Sequence, residues 1–387
     1  MVITLISGCG GGGSGSSSTS SPPPSSQANN ILSISVNGSL CSTNSYLNKA
    51  CVAVTICTSG TTQCQTISDI LLDTGSYGLR IFKQVLNVKL DQTMIGSSSV
   101  AECVQFGDGS SDWGPVQMAS VILANEPAVQ VPVQVIDATF GRLPSGCANA
   151  DKNPAGAGFN GILGMGFFAQ DCGPVCAGNS ANGIYYLCNG GSCVDTAVPL
   201  SGQVQNPAML LPQDNNGFFI QLPAVPLSGA QSVSGSLIFG IGTQANNGAS
   251  SVTAYSANSQ AEFVTTFGGR TYASFIDSGS NGLFFSPPQA GLLPLCASPN
   301  ETWFCPSADT NLTATNADFS GSPSGVVTFD IGNFESLMNS SNQVFSNLGG
   351  FDANSFDWGL PFFFGRKIFV GFDGRTSTLG SGPYWAY

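Results

Sequence analysis

Two short stretches place an aspartate at the end of an apolar run and follow it with a hydroxyl residue and a glycine. The first is Leu71-Leu72-Asp73-Thr74-Gly75-Ser76-Tyr77-Gly78-Leu79. The second is Phe275-Ile276-Asp277-Ser278-Gly279-Ser280-Asn281-Gly282-Leu283. Asp277 follows Asp73 by 204 residues, and Gly75, Ser76, Gly78 and Leu79 meet Gly279, Ser280, Gly282 and Leu283. One Asp in a turn is ordinary. Two on equivalent turns, about one domain apart, mark a duplication that delivers a pair of carboxyl groups. Carboxyls held close together cannot both ionise cheaply, so one pKa rises, the other falls, and the pair shares a proton. The ionised member can take a proton from water while the protonated member gives one to a carbonyl oxygen.

The rest of the composition leaves little else for acid–base work. Histidine is absent. That removes the Ser–His–Asp triad, the Cys–His pair, the His-ligated metal and the imidazole base. Five lysines are a poor second to the carboxylates. The net charge of −12 gives few cations to displace counterions, so nucleic-acid binding is not expected.

The elements that must carry these turns read as strands. Short apolar segments, among them "ILSISV", "CVAVTIC", "VQVPVQVI", "GFFIQL", "VVTFDI" and "KIFVGF", are broken by Gly, Asn, Pro and Ser. Val, Ile, Phe and Thr are common, while charged residues make up only 8%. Short helices are expected over Phe82–Leu86 and Phe334–Met338. The 387 residues, 42% of them hydrophobic, suffice for two β domains, placed at 31–212 and 213–387. No stretch approaches the roughly 20 apolar residues of a membrane span.

Thirteen cysteines are an odd number. Cys9 stands apart in "LISGCGGGG", which resembles the lipobox of a bacterial lipoprotein behind a truncated signal (1–9). Residues 10–30, rich in Gly, Ser and Pro, read as a flexible tether. The resemblance implies an acylated Cys9 and export to the cell envelope, with the outer membrane expected from the absence of Asp after the cysteine. The remaining 12 cysteines can then form six bridges in an oxidising compartment. For Cys172, Cys176, Cys188 and Cys193 a four-thiolate zinc site is the weaker alternative. Gly161–Gly166 could be taken for a phosphate loop, but no Lys or Thr follows it.

The paired Asp motifs resemble those of the pepsin-like aspartic proteases. Further stretches are similar to that family. "FNGILGMGFF" (159–168) looks like the apolar-apolar-Gly segment beneath the first Asp loop, and "VQFGDGSSDWG" (104–114) like the flap over the cleft. "GSLIFGIGTQ" (235–244) and "DWGLPFFFGRKIFVGFDG" (357–374) resemble strands of the second lobe. "CASPNETWFC" resembles its small disulfide loop, which implies a Cys296–Cys305 bridge. The resemblance covers residue 31 to the end, and within bacteria it extends to poorly characterised lipoproteins with the same motifs. It implies an all-β, bilobal fold around a cleft and an endopeptidase whose water sits between Asp73 and Asp277. Thr74 and Ser278 would brace the loops, Ser76 and Ser280 would hold the outer carboxylate oxygens, and Gly75 and Gly279 would allow close approach. It implies a polypeptide substrate, no cofactor, no metal and a monomer. The family is itself the reference case of proton-sharing carboxyls, and no magnitude is taken from it.

Four departures stand out. Phe106, beside Gly107, occupies the flap position where the family has a tyrosine. Arg80 stands where a tryptophan follows the first Asp loop, and it reads equally as a cleft-lining cation or a surface strand residue. The second apolar-apolar-Gly segment reads Asp357-Trp358-Gly359. A Cys-rich insertion spans about 170–205. These departures support a second reading, a lipid-anchored binding or surface protein with little or no catalytic power on the same scaffold.

Overall fold

The short apolar runs do form strands, and the chain is all-β. The structure, a computed structural model, describes residues 28–42, 46–289 and 291–387. Cys9 and residues 10–27 lie outside the described residues. Among those described, a 17-stranded sheet system and a 7-stranded sheet carry the fold. The two short helical expectations are met by a 3-10 turn at Lys83–Val85 and an α-helix at Phe334–Met338. The helix starts on Asn333, whose side chain accepts from the Ser336 N–H, an ordinary N-cap.

Each Asp turn ends a strand: Cys64–Asp73 in the large sheet and Arg270–Ile276 in the smaller one. Each delivering strand is clamped by a second element in parallel register. Gly161–Met165 runs beside the first, pairing Leu163 with Leu72 and Gly164 with Asp73. Ser355–Trp358 runs beside the second, pairing Phe275 with Asp357 and Ile276 with Trp358. Each clamp also pairs antiparallel with the strand leaving the turn, Tyr77–Phe82 or Leu283–Phe285. Two ladders per clamp fix where each turn can sit. Gly161–Met165 is thus a buried strand, with no feature of a phosphate loop.

Alternation along these strands separates core from cleft. Ile70 and Leu72 are fully buried in the core, as are Ile276, Phe356 and Trp358. The smaller sheet is packed by aromatic rings: Phe285 stacks on Phe356 at 4.8 Å and Phe356 on Trp358 at 4.4 Å. Such pairs add about 0.5–1.5 kcal/mol beyond area burial. The large sheet also joins segments far apart in sequence. Ile31–Val36 pairs over six residues with Val233–Phe239, and Lys367–Gly371 pairs with Gly217–Gln221.

Six disulfides join all 12 cysteines of the described region: Cys41–Cys51, Cys57–Cys64, Cys103–Cys147, Cys172–Cys176, Cys188–Cys193 and Cys296–Cys305. The four cysteines weighed for zinc form two bridges, and the Cys296–Cys305 pairing is present. This many bridges suggests an exported or extracellular protein. No helix among the described residues is long and apolar enough to cross a membrane.

Candidate active site

The two Asp turns meet back to back. The Thr74 hydroxyl accepts from the Ser278 N–H at 2.9 Å and donates to the Ile276 carbonyl at 2.8 Å. The Ser278 hydroxyl does the reciprocal work, accepting from the Thr74 N–H at 3.1 Å and donating to the Leu72 carbonyl at 2.7 Å. Both side chains are buried. Each hydroxyl reaches across to the other turn, so the brace has approximate twofold symmetry.

Above the brace the carboxyls converge. The Gly75 N–H lies 2.7 Å from Asp73 Oδ1 and 3.1 Å from Asp277 Oδ1, so one backbone donor touches both inner oxygens. The Gly279 N–H donates to Asp277 Oδ1 at 2.7 Å. The outer oxygens are held by serines: Ser76 donates to Asp73 Oδ2, and Ser280 to Asp277 Oδ2 at 2.8 Å. The glycines are needed for this approach. A Cβ on Gly75 would lie 2.7 Å from the Asp277 carboxyl carbon, and one on Gly279 would lie 2.8 Å from that of Asp73.

Burial pushes the Asp73 carboxyl well above the usual carboxylate range. The neighbouring Asp277 charge and a hydrogen bond between the two carboxyls push it further. The Ser76 and Gly75 donors oppose the shift without cancelling it. Asp73 can therefore hold a proton where an isolated carboxylate would not, as a general acid must.

The carboxyls open onto a cleft of about 1240 Å³. A hairpin built from Ser98–Gln105 and Ser111–Ile122 stands over it, and Phe106, Gly107 and Asp108 at its tip line the cleft. The tip turns on the Phe106 carbonyl, which accepts from the Gly109 N–H at 3.0 Å, and on Asp108, which caps Ser110. The Cys-rich insertion is part of this device. Tyr185–Asn189 pairs with the Ser98–Gln105 strand and with Ser192–Asp195. Near its tip the hairpin is further tied by Cys103–Cys147.

Arg80 reaches the cleft but is fully buried, not a surface cation. Its guanidinium donates to Glu102 Oε1 at 2.8 Å, Asp171 Oδ2 at 3.0 Å and the Tyr77 carbonyl at 2.6 Å. The Tyr185 hydroxyl donates to Asp171 and accepts from the Val204 N–H, each at 2.7 Å. Arg80 thereby joins the Asp73 loop, the Ser98–Gln105 strand and the insertion through one buried network. Even with Arg80 beside it, burial keeps Glu102 above the usual carboxylate range.

Two further residues belong to the site. Tyr46 lines the cleft, and burial, then Asp73, Asp69 and Asp277, push its phenol up. Its segment, "STNSYLNK", shows no motif or period that would have flagged it. Asp357 also lines the cleft, and its place beside Asp277 emerges only from the strand register. Two groups of metal-type donors exist among the described residues, Cys41, Cys51 and Asp69, and Cys296, Cys305 and Glu335. In both, the cysteines are bonded to each other and offer no thiolate.

Residues 26–387 match a family described as protein of unknown function (DUF3443), and the chain belongs to it. No curated protein matches the chain.

Proposed function

We propose that the chain is an aspartic-type endopeptidase with a pepsin-like, bilobal fold, its two β lobes meeting at the paired Asp turns. The observation that carries this reading is the shared contact of Asp73 Oδ1 and Asp277 Oδ1 with the Gly75 N–H, over the reciprocal Thr74–Ser278 brace. A water between the two carboxyls would lose a proton to the ionised one. Its oxygen would attack the peptide carbonyl while the protonated carboxyl donates to the carbonyl oxygen. The resulting tetrahedral intermediate collapses as a proton passes to the leaving nitrogen. Gly75, Ser76, Gly279 and Ser280 hold the carboxyl geometry throughout, and the flap tip covers the bound chain. The reaction needs a polypeptide, a water and no cofactor. In this reading the body is exported and held to a membrane through an acylated Cys9.

Incubation with a denatured protein mixture over a range of pH, followed by mass spectrometry of new termini, tests the proposal. New termini with the wild type and none with Asp277→Asn, at unchanged circular dichroism, are expected. An amide at that position cannot share the proton. Cleavage by the variant at the wild-type rate would remove Asp277 from the mechanism.

One observation favours a second reading, a binding protein on the same scaffold. The flap is stitched to a disulfide-bonded hairpin and to Cys147, which limits the opening that turnover requires. The same mixture separates the readings, since a binder retains polypeptides without creating termini.

A further inference from the structure

The duplicated site is symmetric in backbone and asymmetric in chemistry. On the first sheet Ile162 lies opposite Leu71 in parallel pairing and opposite Arg80 in antiparallel pairing. On the second sheet the same register puts Asp357 opposite Phe275 and Phe284. Leu71 and Phe275 each precede their catalytic Asp by two residues, and Arg80 and Phe284 each follow it by seven. Asp357 therefore occupies, on one side of the carboxyl pair, the position that Ile162 occupies on the other.

Phe356 and Trp358 are fully buried in the core, so strand alternation turns Asp357 to the opposite face, where it lines the cleft. It is only 6% exposed. Its Oδ1 has no hydrogen-bond partner, and no ion pair among the described residues includes it. Besides burial, the Asp277, Asp352 and Asp73 charges disfavour its ionised form; only Ser280, whose hydroxyl is given to Asp277, favours it. The corresponding cation of the first half, Arg80, already serves Glu102 and Asp171. A buried carboxyl facing a cleft without a cation stays protonated while the cleft is empty and ionises when a cation is brought in from outside.

We infer that the substrate supplies it: the cleft selects a polypeptide with an apolar side chain against Ile162 and a lysine or arginine against Asp357, on opposite sides of the bond to be cut. This rests on the peptidase reading and names its substrate class. A site built to bond a charged group discriminates strongly against an isostere that lacks it.

The test uses synthetic peptides carrying either lysine or norleucine, its apolar near-isostere, at each of the two residues flanking the scissile bond. In the wild type, kcat/KM for lysine over norleucine should be raised at one flank only, roughly 10- to 100-fold as for one charged hydrogen bond. In Asp357→Leu that ratio should fall to about one or invert; Asp357→Asn, which keeps the polar shape beside Ser280, should also lose most of it. Equal rates for the two peptides in the wild type, or a preference that survives both substitutions, would overturn the inference while leaving the peptidase standing. If no peptide is cut, the peptidase reading fails instead. Fluorescence anisotropy of the labelled peptides with Asp277→Asn and with Asp277→Asn/Asp357→Leu then decides the subsite. Tighter lysine binding lost in the double variant supports it, and equal binding refutes it.

Discussion

Replacing Thr74 by valine keeps nearly the same shape and removes one hydroxyl from the brace. That hydroxyl serves two backbone groups, the Ser278 N–H at 2.9 Å and the Ile276 carbonyl at 2.8 Å, in a position only 3% exposed. Water does not reach the site to replace it. Each buried group left without a partner costs about 1–3 kcal/mol, so Thr74→Val should destabilise by about 2–5 kcal/mol. Ser278→Ala removes the mirror pair of bonds, to the Thr74 N–H and the Leu72 carbonyl, and should cost a similar amount. Because the two hydroxyls hold the same two turns, the double variant should cost less than the sum, with a coupling of about 0.5–3 kcal/mol. The assay is urea unfolding with disulfides intact, followed by fluorescence of the buried Trp113, Trp358 and Trp385. Thr66→Val is the control: its hydroxyl bonds Thr55 at 2.7 Å on an exposed face and should change stability by less than about 0.5 kcal/mol. If Thr74→Val costs no more than that control, or if the two losses simply add, the turns are not braced as a unit.

Two further outcomes follow from the same geometry. A Cβ at Gly75 would lie 2.7–2.9 Å from the Asp277 carboxyl atoms, so, on the proposed peptidase reading, Gly75→Ala should spread the pair and reduce kcat/KM for a cleaved peptide by about 100-fold against the wild type. Asp112 is fully buried, with neither carboxyl oxygen bonded, and burial, against an opposing Arg80, pushes it from 3.8 up to about 7. Between those values the folded chain keeps a proton that the unfolded chain has lost, so stability is greatest in acid and falls as pH rises through that window. Asp73, Glu102 and Asp357 are shifted in the same direction. The melting temperature should therefore fall from pH 4 to pH 7, and by less in Asp112→Asn; a melting temperature that rises over this range would contradict the buried state of these groups.

The carboxyl pair could be read from the chain because the duplication repeats local residues, and a turn's chemistry is written in its own sequence. Disulfide number was legible for a similar reason, since parity sets Cys9 apart. Pairings that depend on the fold were not: Cys103, on the hairpin over the cleft, meets Cys147 across 44 residues. Arg80 shows the same limit. Its position beside the Asp73 loop was visible, but its partners lie 22 and 91 residues away and fix it as a buried tie rather than a free cation. Asp357 could be recognised as a charge in an apolar segment. Only the register with Phe275 and Phe284 shows that it faces the cleft. Tyr46 approaches the carboxyls from a loop whose sequence has no period to read.

Among the described residues every disulfide closes a loop of 44 residues or fewer, and none joins Cys193 or an earlier cysteine to Cys296 or a later one. A chain nicked between Asp195 and Val233 would be two molecules, each with its own crosslinks complete. They would be held by the Ile31–Val36 ladder, the turn brace and the Asn48 amide bonds to Asn281 and Phe345. Each fragment would carry one carboxyl. The carboxyl pair is thus a property of assembly: neither fragment alone contains it, and their noncovalent complex does.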